Sequence, residues 1–246
     1  MRFVKAAVAT ATVIGVMSVS AVAATKGTVL VVGAGKSGQP LIKILHDQGY
    51  GVRALVRDAA KAGDLGKGVI IVVGDVTKPE TLPAAMKGAE YVISTIGAGI
   101  GGNTPEEVDY KGVAALADAA KAAKVKQLVL MSSIGAGDTN PETFLNKRFG
   151  MVLMFKGKGE DHLRKSGVPY TVVRPGGLQD CDPGKVGFKV AGPGDLQGSI
   201  CRSDVGLLMA ASLGNKDALG KTITVVSDDK APIDAWKKEL AAIKKD

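Results

Sequence analysis

Seven short apolar runs punctuate the chain: Thr28 to Val32, Val52 to Val56, Val69 to Val73, Tyr91 to Thr95, Gln127 to Met131, Tyr170 to Val173 and Thr222 to Val226. Between them the apolar residues fall at helical spacing. Runs of Val, Ile and Leu with little polar interruption suit strands covered on both faces, and their alternation with helices implies a parallel sheet built from βαβ units. Thr104-Pro-Glu-Glu107 supplies an N-cap, a proline at the first helical position and a carboxylate that can close a capping box. A long helix is therefore predicted from Pro105 to about Ala123. Later packing elements are expected at Ser199 to Leu213 and around Trp236. The predicted fold class is α/β: a doubly wound, mainly parallel, seven-stranded sheet with helices on both faces.

The first 24 residues follow another pattern. Arg2 and Lys5 precede a charge-free run from Ala6 to Ala24, and Ala21-Val-Ala23 offers small residues for cleavage. This describes a secretory signal peptide over 1–24, with the mature protein periplasmic or secreted. An uncleaved membrane anchor and a misassigned start are the alternatives. No twin-arginine pair is present. With no Pro- or Ser-rich linker beyond it, residues 25–246 are expected to form a single domain.

Composition sharpens this picture in three places. Aromatics make up only 4% of the chain, so the core must be built from aliphatic side chains and alanine. The formal charge of +8 falls to +6 without Arg2 and Lys5. Its lysines are scattered without interleaved aromatics, which favours a solvated basic surface attractive to phosphate-bearing small molecules over a nucleic-acid interface. Cys181 and Cys201 do not make a disulfide framework; free thiols are the expected state and an intrachain bridge the alternative.

Candidate chemistry begins in Gly33-Ala-Gly-Lys-Ser-Gly38, which follows the first strand and opens a helix predicted from Pro40 to Asp47. Glycines there allow a sharp turn and close approach of a pyrophosphate, and the helix N-terminus favours its charge. Gly-rich segments also follow other strands, at Gly97 to Gly102, Gly135 to Gly137 and Gly176-Gly177, outlining one cleft along the sheet edge. About 20 residues past the glycine loop an acid selects a free ribose 2′-hydroxyl and an arginine accepts a 2′-phosphate. Arg57 stands there and argues for NADP over NAD, although Asp58 adjoins it.

Nine segments in order carry a resemblance. They are Gly33 to Gly38, Val52 to Arg57, Gly74-Asp-Val76, Ser94 to Gly97, Val108-Asp-Tyr-Lys-Gly112, Leu130 to Ser133, Glu160 with Ser166 to Thr171, Arg174 to Leu178, and Arg202 to Val205. Together the chain resembles the atypical short-chain dehydrogenase/reductases, in the NmrA-like, NAD(P)-binding branch. That branch includes flavin/biliverdin-IXβ reductases and the NADP-binding protein of the chloroplast import translocon. The resemblance implies that Gly33, Gly35, Lys36, Ser37 and Gly38 hold the pyrophosphate and Arg57 the 2′-phosphate. It places Asp75 and Val76 at the adenine, and Thr95, Ile96 and Gly97 on the ribose side. Ser132, Ser133, Lys156 and the loop beginning at Pro175 would surround the nicotinamide, with Ser132, Ser133 and Lys156 as the catalytic candidates.

Two departures qualify the resemblance. Relatives carry one more residue between the first two glycines, so the phosphate loop is shortened. In the main short-chain dehydrogenases a tyrosine four residues before the lysine transfers the proton; here that position is Val152. Tyr110 and Tyr170 are not natural substitutes. Lys147-Arg148 and Lys156 to Lys158 read as a solvated helix face in preference to a basic wall for an anionic substrate. His46 and His162 lack partners at metal-ligand spacing. The expected function is an NADP(H)-dependent oxidoreductase acting on a small acceptor without the usual tyrosine; the opposing reading is a non-catalytic NADP-binding or protein-interaction module. A sugar-nucleotide epimerase is disfavoured, because that chemistry also relies on the absent tyrosine.

Overall fold

The structure, a computed structural model, describes residues 26–99, 102–194 and 196–246. The leader read at 1–24 lies outside the described residues. In chain order the strands are β1 (Thr28–Val32), β2 (Gly51–Val56), β3 (Ile70–Val73), β4 (Tyr91–Ser94), β5 (Gln127–Met131), β6 (Tyr170–Pro175), β7 (Gly177–Gln179), β8 (Phe188–Ala191), β9 (Ser199–Cys201) and β10 (Lys221–Ser227). The α-helices are α1 (Gly38–Asp47), α2 (Leu82–Met86), α3 (Val113–Ala122), α4 (Phe144–Phe149), α5 (Val152–Ser166), α6 (Arg202–Ala211) and α7 (Trp236–Ala242).

All seven predicted strands are present, and the central sheet has eight strands rather than seven, in the order β3-β2-β1-β4-β5-β6-β10-β8. The first seven are parallel; β8 adds antiparallel to β10, with Val225 opposite Val190. β7 and β9 form a separate two-stranded ribbon. β8 escapes the sequence pattern because it is four residues long, carries a lysine, and is hemmed by Gly187 and Gly192-Pro193. Its partner lies more than thirty residues further on.

Alternation along each strand divides the core between two faces. Val29, Val31, Val129, Val173 and Ile223 pack with α1, α6 and α7, where Trp236 stacks on Phe188 at 5.5 Å between ring centroids. Leu30, Val32, Leu128, Leu130 and Val172 face α2, α3 and α5. Strand β3, at the edge, leaves Ile70, Ile71 and Val73 exposed. Among the described residues no helix is long and apolar enough to cross a membrane.

Two local expectations are corrected. The capping box forms: Glu107 N–H donates to Thr104 Oγ1 at 3.2 Å and Thr104 N–H to Glu107 Oε2 at 2.8 Å. The helix it opens is not α-helical throughout, because Glu106–Gly112 winds as a π-helical turn before α3 begins. The cysteines are not free. Cys181 and Cys201 are disulfide-bonded with Cα atoms 5.5 Å apart, within ordinary bridging reach. The bridge closes a loop around β8, and in a chain-entropy account a loop of this size contributes about 3 kcal/mol by restricting the unfolded chain.

Candidate functional site

The strand order reverses direction between β1 and β4, and a cleft opens at the carboxyl ends of β1 to β4, as open α/β sheets provide at such a point. Its volume is about 620 Å³, within the usual range for small-molecule sites. Gly33, Gly35, Arg57, Asp75, Val76, Thr95, Ile96 and Gly97 all line it. Seven further candidates do not. Lys36, Ser37 and Gly38 belong to the glycine loop and the start of α1 at its rim, while Ser132, Ser133, Lys156 and Pro175 lie beyond the lining, toward β5 and β6.

The glycine loop is built by close contact. A Cβ on Gly38 would stand 1.9 Å from Gly33 O, so α1 can begin this near β1 only with glycine at its first residue. Gly33 takes a positive φ of 97°, and its carbonyl is held by Thr95 Oγ1 at 2.7 Å. Gly35 is different: a Cβ there would meet nothing within 4 Å. No protein contact requires glycine at 35, which leaves room for a ligand to approach the backbone. The first turn of α1 has no acidic residue to compete with an anion for the positive end of its dipole. Lys36 reaches Asp180 at 3.9 Å across open surface.

At the β2 end, Asp58 is used by the protein itself. Its Oδ1 accepts the Ala60 N–H at 3.0 Å, capping the short turn Ala59–Lys61, and Oδ2 lies 3.7 Å from Lys61 Nζ. Arg57 lines the cleft and has no ion-pair partner among the described residues. Asp75 is half occupied, since its Oδ1 accepts both the N–H and hydroxyl of Thr77 at 2.9 Å and shapes the turn after β3.

Toward β5, Ser132 is 6% exposed and its hydroxyl has no hydrogen-bond partner, whereas Ser133 Oγ donates to Ile134 O at 3.0 Å. An unpartnered buried hydroxyl is costly unless a ligand or water meets it. Lys156 is not part of a solvated helix face. It is 16% exposed and bonds Asp109 Oδ1 at 2.6 Å, with Asp109 only 1% exposed. Its basic neighbour Lys147 is tied to Glu142 at 2.6 Å. Asp109 was not singled out from the sequence beyond its place in Val108 to Gly112, nor was Asn103 of the cleft lining, whereas Gly99 falls in the expected Gly97 to Gly102 segment.

Val152 is the first residue of α5 and is buried, with no hydroxyl to offer. Tyr170 starts β6, at the amino ends of the strands and away from the cleft. Burial, then the charge of Asp246, push its phenol up to about 12, and it donates to Asp246 Oδ2 at 3.2 Å. Neither tyrosine considered above lines the cleft.

These features suit a dinucleotide phosphate: a glycine-walled entry, an unpaired arginine at one end and an orphaned serine hydroxyl toward the other. Comparison with known proteins gives the same direction. The sequence model of a family described as NAD(P)H-binding matches residues 33–216. Sanguinarine reductase of Eschscholzia californica is 32% identical over 86% of this chain and 93% of its own. The chloroplastic protein TIC 62 of Pisum sativum is 34% identical over 87% of this chain, which spans only 46% of that longer protein. A solved putative NAD-dependent epimerase/dehydratase from Bacillus halodurans superposes with a TM-score of 0.75 at 25% identity, covering 86% of this chain and 99% of that one.

Proposed function

The chain belongs to the NAD(P)H-binding family, and from that premise we propose that it is an NADP(H)-dependent reductase of the atypical, NmrA-like short-chain type, acting on a small acceptor. The observation that carries the reading is the pair Arg57 and Asp58. Both residues line the cleft, but one oxygen of the Asp58 carboxylate is taken by its own turn and the other lies near Lys61, while the Arg57 guanidinium has no ion-pair partner among the described residues. Arg57 would then hold the 2′-phosphate, the amides around Gly33 to Gly38 the pyrophosphate, and Asp75 and Val76 the adenine. The bound nicotinamide supplies hydride transfer to the acceptor. The Ser132 hydroxyl, which no protein group satisfies, would be free to donate a hydrogen bond to a bound ligand, and Lys156 holds a positive charge behind Gly97. With Val152 in the tyrosine's place, the proton comes from solvent or from Ser132, which suits a flavin- or quinone-like acceptor.

The reductase name of one relative supports this activity. Val152 also favours a second reading, in which the cleft binds NADP without catalysis. Titration of the purified protein with NADPH and NADH separates the outcomes. Selective NADPH binding is expected, and Arg57→Glu should weaken NADPH by roughly 100-fold while changing NADH by less than about threefold, as for loss of a charge-assisted phosphate contact. Equal losses would remove the 2′-phosphate assignment. Turnover of flavin or quinone acceptors then distinguishes the reductase from the silent binder.

For localisation we propose export, on Arg2, Lys5 and the charge-free run that follows. The chloroplastic relative makes organelle import the competing destination. Amino-terminal sequencing of protein from its native cell should find a start near Thr25; an intact Met1 would rule out cleavage.

A further inference from the structure

Two glycines in the middle of α5 carry an unexplained cost. Gly157 and Gly159 each forgo about 1 kcal/mol of helix stability relative to alanine. Both are required by close approach: a Cβ on Gly157 would stand 2.5 Å from Gly137 Cα, and one on Gly159 would stand 2.2 Å from the carbonyl oxygen of Asp109. The second contact presses α5 directly onto the backbone of the π-helical turn. Such turns are uncommon and concentrate at functional sites, because the wider register moves a side chain to a place regular helix does not reach. Asp109 sits within this turn.

Both oxygens of Asp109 are engaged, one by the cleft wall and the other by a lysine just behind it. Oδ1 accepts from Lys156 Nζ at 2.6 Å, and Oδ2 accepts the Ala98 N–H at 3.0 Å. Gly97 and Ala98 line the cleft wall. A Cβ on Gly97 would lie 3.6 Å from Asp109 Oδ1 and 3.7 Å from Lys156 Nζ, so the ion pair backs directly onto that wall. A lysine ammonium on a four-carbon stem is otherwise a mobile point charge. Here one buried carboxylate fixes it relative to the loop that would meet the nicotinamide ribose.

We propose that Asp109 is a positioning residue, held by the π-helical turn so that it fixes the Lys156 ammonium and the Ala98 amide together at the nicotinamide end of the cleft. The inference rests on the coenzyme reading above. It requires that the effect of Asp109→Asn run through Lys156, since asparagine keeps an oxygen for the Ala98 N–H, and that it stop short of the adenosine end.

The test compares NADPH with 2′,5′-ADP, a fragment that carries the adenosine end alone. Asp109→Asn should lower NADPH affinity by about tenfold, equivalent to roughly 1.4 kcal/mol, and alter the emission of the bound reduced nicotinamide, while 2′,5′-ADP binds as before. Unchanged NADPH affinity and emission in a folded Asp109→Asn protein would overturn the proposal, as would equal losses for the two ligands. Because the single variant leaves a buried ammonium and can fail to fold, a second comparison sets Lys156→Met against Lys156→Met/Asp109→Asn. Equal NADPH affinities are expected there, and a further loss in the double variant would mean that Asp109 acts independently of Lys156. Binding of neither ligand by the unaltered protein would instead defeat the coenzyme reading, and this inference with it.

Discussion

Glu160→Ala is expected to cost about 3–5 kcal/mol, the range for removing one partner of a buried ion pair. The melting temperature should fall on the order of 10 °C in a protein of this size. Glu160 is fully buried on α5 and takes three charge-assisted hydrogen bonds: from Arg174 Nε at 2.9 Å, Arg174 Nη2 at 2.5 Å and Arg164 Nη2 at 2.7 Å. Arg164 retains Asp161 and Asp246 when the carboxylate is lost. Arg174 retains no ion pair among the described residues, and its guanidinium remains largely buried. Most of the cost therefore comes from that one stranded charge. Glu160→Gln, which keeps an acceptor, should lose less. Thermal unfolding followed by circular dichroism checks both, and a shift of only a degree or two for the alanine variant would mean that water or a rearranged partner satisfies Arg174.

The second large effect separates two glycines of the same loop. Gly38→Ala places a methyl group where Gly33 O already lies, forcing α1 away from β1. Overpacking of this kind costs about 1–3 kcal/mol, and the displaced helix end should lower NADPH affinity by roughly 100-fold, about 2.7 kcal/mol. Gly35→Ala meets no protein atom within 4 Å, so it should leave the melting temperature unchanged and still weaken NADPH by occupying the space its phosphates need. Calorimetric titration and melting of both variants decide the matter. Full NADPH affinity in Gly35→Ala would show that the coenzyme does not pass over this loop.

The strands were legible because burial on both faces writes them as nearly continuous Val, Ile and Leu, a signal that needs no knowledge of partners. The glycine loop was legible because Gly33 and Gly38 answer a local geometric demand. What was missed depends on contacts distant in sequence. Strand β8 exists only through its pairing with β10. Asp109 reads in sequence as one more acid in the first turns of a helix, beside Glu106 and Glu107, where the dipole alone explains it. Only the arrival of Lys156, 47 residues later, gives it a different partner. The π-helical turn likewise packs closely against α5, a contact distant in sequence. For Lys156 the error lay in its neighbours: Lys158 and Lys147-Arg148 suggested a wet surface, yet the helix turns this one lysine inward. The cysteines were undecidable from spacing, since Cα separation is a property of the folded chain.

The bond between Cys181 and Cys201 also changes what cutting the chain can do. Strand β8, the β8–β9 connection and most of the exposed segment after Cys181 lie within the covalent ring. A protease that cleaves once between Asp182 and Ile200 therefore yields no separate fragments. The two pieces stay linked and migrate as one molecule until a thiol reductant is added, and β8 keeps a covalent route back to the sheet edge through whichever piece carries it.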